Sequence, residues 1–230
     1  MISIKNTFTI LLLTSFILSF GGIGLMGNSS IISKDGADTL DEFNLTYQNT
    51  NSKENGGSFF IYFDALPKGL ALEASVEINT HLLDMEISFS DQDNYFTQFY
   101  AARQSAYFTI RKNWKSFSVP LIAKLAVNYG IGYNMHTLIL PSVSLLKDIN
   151  NTTDLNDLYD QSQDNFDLGD INSLFNEYGT NSDGFHIQVG AQFKILTLNA
   201  FGIAKYTFLL NKDLNLENFP SVNMGFAYGI

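Results

Sequence analysis

The stretch Val222-Asn223-Met224-Gly225-Phe226-Ala227-Tyr228-Gly229-Ile230 alternates apolar and small or polar residues without a break. Val222, Met224, Phe226, Tyr228 and Ile230 fall on one face, and Asn223, Gly225, Ala227 and Gly229 on the other. A period of two is the period of a strand. The sequence ends while that strand is still running, and an open apolar edge invites aggregation. A closed membrane barrel removes the edge by pairing its last strand with its first.

The same alternation recurs through the chain. Phe59, Ile61, Phe63 and Ala65 oppose Asp64, and Leu70, Leu72, Ala74, Val76 and Ile78 oppose Glu73, Ser75, Glu77 and Asn79. Leu83, Met85, Ile87 and Phe89 oppose Asp84 and Glu86, and Tyr100, Ala102, Ala106, Phe108 and Ile110 oppose Arg103 and Arg111. Further strands are expected over 116–129, 185–194 and 197–211, so the terminal run makes eight, or ten if Phe43–Gln48 pairs as well. Gln104 is the one polar residue on its apolar row. A basic residue on a lipid face costs about 2–4 kcal/mol at mid-membrane, which favours placing the charged rows inward.

Connection lengths give a second test. With the C-terminus on the periplasmic side, Ile195, Lys112–Lys115 and Thr80–His81 mark short inner turns. Residues 212–218, 131–183, 91–97 and Pro67–Lys68 then lie outside, and the one very long connection falls on the outer side, as small barrels require. The fold expected is all-β, an antiparallel up-and-down transmembrane barrel with one long, partly helical extracellular loop. The barrel occupies 57–230, and the long acidic connection 131–183.

The beginning of the chain agrees with export. One positive charge, Lys5, precedes the uncharged, mostly apolar run Thr7–Phe20, and Gly21, Gly22, Gly24 and Gly27 follow. Residues 1–27 read as a signal peptide cut between 21 and 27. Residues 28–56, rich in Asn, Ser and Asp, read as a flexible periplasmic lead-in. Removing residues 1–27 takes one lysine and no acid and leaves a net charge of −11, which argues against nucleic acid as a partner. The chain has no cysteine, so lipoprotein modification, disulfides and thiolate metal sites are excluded.

The inward rows of a narrow barrel fill its interior. Glu73, Glu77, Asp84 and Glu86 on two strands face Arg103, Arg111 and Lys124 on the next two, a lumen charge network whose partners satisfy one another. A gated polar ladder is the alternative use of the same residues. No cofactor or metal site is expected. Asp160, Asp164, Asp167 and Asp170 lack the spacing of a calcium loop. His81, His136 and His186 form no zinc motif, and Gln188 stands where a Ser beside His186 could assist catalysis. In the long connection, Asp154–Tyr159 and Asp170–Tyr178 have the pattern of short amphipathic helices, the second capped by Asp170 and followed by Gly179.

Asn223, Gly225, Tyr228 and Ile230 have the spacing polar–x–Gly–x–x–aromatic–x–apolar, which resembles the C-terminal signal read by the outer-membrane barrel assembly machinery. Ile230 departs from the usual final Phe. The chain as a whole resembles small bacterial outer-membrane β-barrels of the OmpA/OmpX type. That resemblance implies an outer-membrane location, lipid and the assembly machinery as partners, and a structural or surface-interaction role without catalysis. The acidic loop would meet an extracellular ligand or protein. A passive porin for small or apolar solutes and a lipid-acting barrel enzyme centred on His186 are the alternatives.

Overall fold

Alternation runs further along the chain than the turn signals do. The computed structural model describes residues 21–40, 43–64, 66–89, 92–119, 123–149, 171–210 and 217–229. In it, Leu70–Phe89 is one strand rather than two. No Gly or Pro interrupts Asn79-Thr80-His81-Leu82, so nothing there favours a turn over extended backbone. The strands are β1 (Gly21–Leu40), β2 (Phe43–Phe63), β3 (Leu70–Phe89), β4 (Gln92–Val119), β5 (Ala123–Ile139), β6 (Thr180–Ile195), β7 (Leu198–Leu209) and β8 (Phe219–Gly229). They pair antiparallel in chain order, and β8 closes on β1. Two helices, α1 (Val143–Ile149) and α2 (Ile171–Tyr178), lie in the β5–β6 connection.

The strand count is the eight expected, but the strands are not the same eight. The described part of the expected lead-in, 28–40 and 43–56, is strand: Asn28 pairs with Asn223 on one side and Gly56 on the other. Its polar composition imitates a linker because polar residues also fill inward positions of the barrel, where Asn28, Ser30 and Glu54 are buried. Phe43–Gln48 pairs within β2 against β3 and adds no further strand. Residues 1–20 of the signal segment lie outside the described residues. The expected cleavage window falls inside β1, where Gly22–Gly27 are paired on both sides.

The strand ends Phe63 and Leu70, Val119 and Ala123, and Ile195 and Leu198 share one end of the barrel with Gly21 and Gly229, and Leu40 and Phe43, Phe89 and Gln92, Ile139 and Thr180, and Leu209 and Phe219 share the other. We call these the turn end and the loop end. Pro67–Lys68, expected outside, therefore sits at the turn end, while Thr80–His81 and Lys112–Lys115 lie within strands. The long connection begins at Leu140 because β5 runs on to Ile139.

The wall is uneven. β7 and β8 have 12 and 11 residues, whereas β1 to β4 have 20, 21, 20 and 28. An 11-residue strand tilted by about 40° rises roughly 28 Å, close to the height of an outer-membrane apolar band. Beyond Ser30, the last β1 residue paired with β8, the first four strands continue as a projecting sheet.

Along β3 the apolar row changes sides while the strand keeps its parity. Leu72, Val76 and Ile78 are exposed on the outside, opposite buried Glu73 and Glu77. Past His81 the same alternation buries Leu83, Met85 and Ile87 and exposes Asp84. Thus the lower half of the strand is apolar outside and charged inside, and the projecting half is the reverse.

Candidate functional site: the filled lumen and its cap

Polar side chains on the inward rows meet in three clusters stacked along the barrel. Nearest the loop end, Arg103 donates from Nε to both carboxylate oxygens of Glu54, at 3.1 and 3.0 Å, and Nη2 also donates to Glu54. The same guanidinium donates to Ser105 Oγ at 2.7 Å and Ser30 Oγ at 3.1 Å. Ser30 in turn donates to Glu54 Oε2, and His81 Nδ1 lies 3.4 Å from Oε1. In the middle, Glu77 Oε1 accepts from Lys205 Nζ at 2.6 Å and Asn223 Nδ2 at 2.7 Å. At the turn end, Arg111 donates to Asp64 Oδ1 at 2.6 Å and Gln192 Oε1 at 3.2 Å, and its Nε is 3.4 Å from Glu73 Oε2.

Rings separate the charges. Phe219 lies 4.6 Å from the Arg103 guanidinium, the Tyr107 ring 3.9 Å from Lys205 Nζ, and Tyr62 and Phe201 just under 6 Å from Arg111. Met26, Phe60, Tyr62, Phe201, Ile203 and Ala227 form an apolar layer across the barrel. Phe60 and Phe201 meet edge to face at 5.0 Å. Arg103, Arg111 and Lys205 are each at most 4% exposed, and Glu54 is wholly enclosed. Charges so far from water persist only when paired and hydrogen-bonded. Among the described residues the lumen thus holds its charges as buried ion pairs set between packed aromatic and apolar side chains.

At the loop end, α1 and α2 form a cap packed on the wall. Ile87, Met85 and Leu45 on the inward face of the projecting sheet pack on Val143 and Leu146 of α1. Ile139 and Leu145 pack on Phe175 of α2. Asp38 of β1 accepts a hydrogen bond from the Val143 backbone at 2.9 Å, tying the start of α1 to the wall. α2 occupies the expected helical segment, and Phe175 of its apolar stripe is buried. Asp160, Asp164, Asp167, Asp170 and the segment Asp154–Tyr159 lie outside the described residues.

Of the expected lumen charges, the structure brings together only Glu73 and Arg111 directly. Glu77 is inside but meets Lys205, and Arg103 is inside but meets Glu54. Asp84 is exposed on the outer face of the projecting sheet, where Gln98 donates to it at 3.0 Å. Glu86 shares that face and is half-buried. A turn at Thr80–His81 would turn both inward; the single continuous strand β3 keeps its parity and carries them outward. Lys124 is exposed at the turn end, opposite Ser118 and Lys194.

Glu54 and Lys205 went unrecognised for different reasons. Glu54 stood in a polar stretch without alternation. Lys205 shares its row with Phe201 and Ile203, which at this level face inward as part of the apolar layer. Lys205 was visible as the charged exception on that row.

His186, the centre of the enzyme alternative, faces inward and is wholly buried in mid-lumen. Its Nε2 is 2.9 Å from Thr109 Oγ1 and its Nδ1 3.4 Å from Asn134 Nδ2, which makes Nδ1 an acceptor and Nε2–H the donor. His136 bonds Ser105 through Nδ1 and Asn134 Oδ1 through Nε2, at 2.8 and 3.0 Å. Both histidines are satisfied parts of the interior. Of the expected C-terminal signal, Asn223 points inward to Glu77, Gly225 packs tightly on Met26 and Tyr228 is exposed outside. Ile230 is outside the described residues.

No protein-family model matches the sequence, and no curated protein matches it. Among solved structures, the chain is similar to Ail, the attachment invasion locus protein of Yersinia pestis. The two are 12% identical, 91% of this chain and 97% of that one are covered, and the TM-score is 0.41. It is also similar to Neisserial surface protein A, at 8% identity, 90% and 97% coverage and a TM-score of 0.43. For the N-terminal β-barrel domain of Pseudomonas aeruginosa OprF the figures are 9%, 91%, 99% and 0.35.

Proposed function

We propose that this chain is an outer-membrane β-barrel that conducts no solute and serves as a scaffold, presenting its projecting sheet and cap at the cell surface. The observation that carries this reading is the exchange of faces along β3. A strand wholly in water keeps its apolar row inside; here the row lies outside up to Ile78 and inside from Leu83. The natural account is one strand passing from lipid into water.

The turn end then faces the periplasm and the cap faces outward. Lipid and the barrel assembly machinery are the partners of the wall, the latter through the C-terminal strand. An extracellular ligand or protein meets the projecting sheet. There Phe96 and Tyr100 are 70% and 74% exposed beside Leu82 and Asp84. Such a cluster of exposed aromatics is a usual mark of an interaction surface. Three buried ion-pair clusters and an apolar layer across the lumen argue against a porin, and the enclosure of His186 argues against a lipid-acting enzyme.

Planar-bilayer recording on the refolded barrel tests the closed lumen: the membrane is expected to stay at baseline conductance, and steady unitary currents would favour the porin. Phe96→Ser with Tyr100→Ser tests the display role. Cell attachment to host-matrix surfaces is expected to fall while the heat-modifiable barrel band persists; unchanged attachment would remove this face from the reading.

A further inference from the structure

At the turn end β4 outruns its neighbour. β3 begins at Leu70, paired with Lys112, and residues 113–119 of β4 then pair only with β5. The pairing slips between Asn113 and Lys115, so Trp114 is an extra, bulged residue. A bulge re-aims the side chains around it. Lys112, Trp114 and Lys115, which strict alternation would divide between faces, are all exposed. Trp114 is 69% exposed, with Phe117 at 67% and Val119 at 57% below it. Lys115 Nζ lies 5.4 Å from the indole ring.

The charge at this end is one-sided. Lys68, Lys112, Lys115 and Lys124 are exposed there, and the ion pairs among the described residues use none of them. Among the described residues, the carboxylates at the same end, Asp64 and Glu73, are engaged by Arg111. The described acids Asp84, Glu177, Asp183 and Glu217 lie toward the loop end.

We propose that Lys112, Trp114 and Lys115 form a docking surface for the headgroups of anionic phospholipid in the leaflet nearest the turn end. The two ammonium groups take the phosphodiester and the headgroup charge. The indole lies at the boundary of headgroup and acyl chain, where its apolar ring and N–H are both accommodated. Lysine stems spread over the apolar wall while their charged ends reach the headgroups. The occupant is lipid rather than an acidic protein because the lysines sit beside an exterior apolar row, Phe117, Val119 and Leu125, that is continuous with the wall. This inference rests on the membrane reading given above.

Trp114 is the sole tryptophan, so its emission reports on this site alone. The full barrel is reconstituted in phosphatidylcholine vesicles carrying a minority of brominated phosphatidylglycerol or, separately, brominated phosphatidylcholine. Stronger quenching by the anionic lipid is expected. The variant Lys112→Gln/Lys115→Gln, and added salt, bring the two lipids together. Each lysine contributes about a fivefold local enrichment at low salt. Equal quenching of the native barrel by the two lipids would overturn the docking surface and leave the membrane reading intact. Failure of the protein to float with vesicles of either kind would overturn the membrane reading itself.

Discussion

Glu54 tests the interior most sharply, because its two assignments predict opposite results. As a residue of a flexible lead-in, its replacement would change stability by no more than about 0.5 kcal/mol, the range of an ordinary surface site. In the structure its carboxylate is enclosed and is the only acidic partner within ion-pair distance of Arg103 among the described residues. Glu54→Ala leaves a guanidinium that is 1% exposed holding only serine hydroxyls and His136. Breaking one side of a buried pair costs about 3–5 kcal/mol. For a urea slope near 2 kcal/mol/M, that lowers the unfolding midpoint by roughly 2 M.

The assay is urea unfolding of the barrel in lipid vesicles, followed by Trp114 emission and by the fraction of compact band on an unheated gel. Glu54→Leu with Arg103→Met removes both charges and keeps much of the volume, so most of the loss is expected to be recovered. A Glu54→Ala midpoint indistinguishable from native would refute the assignment of β2. A double variant as unstable as the sum of both single variants would refute direct pairing.

Two glycines make a contrasting pair. A Cβ at Gly56 would meet the Ile78 carbonyl oxygen at 2.0 Å and Asn79 Oδ1 at 2.3 Å, whereas one at Gly202 meets nothing within 4 Å. Gly56→Ala is therefore expected to abolish the compact band and Gly202→Ala to leave it unchanged; a folded Gly56→Ala would refute the close packing of β2 on β3. Replacing residues 143–178 by a short Gly-Ser turn uncovers the lumen, yet no conductance is expected, since the layer of Phe60, Tyr62 and Phe201 belongs to the wall. Currents from that variant would show the cap to be the seal. N-terminal sequencing of the exported protein should find a chain starting no later than Gly22, because a cut after Gly27 would strip Met224–Gly229 of their β1 partners.

Much of the architecture was legible because a barrel wall is the simplest pattern a sequence can carry. Each strand of the lower wall meets one apolar and one polar surround, so alternation survives as a local signal from Leu70 to Asn79 and from Val222 to Gly229. The projecting sheet was misread for the same reason. Where the surrounds exchange, the sign of the alternation reverses, and a reversal of sign in one strand looks like a turn between two. Asp84 and Glu86 were carried to the wrong face by that single step. β1 was hidden because its glycines and polar residues resemble a cleavage region and a linker. Three of its glycines are instead required by contact, since a Cβ at Gly21, Gly22 or Gly24 would meet a neighbouring carbonyl oxygen within 2.5 Å.

The sequence by itself determined that this chain alternates, closes, and hides charge behind an apolar wall. These properties follow from the period of two and from the cost of charge in an apolar surround. Tertiary structure alone decided which charges meet. Arg103 finds Glu54 across 49 residues and Lys205 finds Glu77 across 128. Partners so distant in sequence are chosen by the stagger of strands around the closed sheet, which brings far-removed inward rows to one level of the lumen. No local pattern records that stagger, because it is a property of the whole circuit of eight registers.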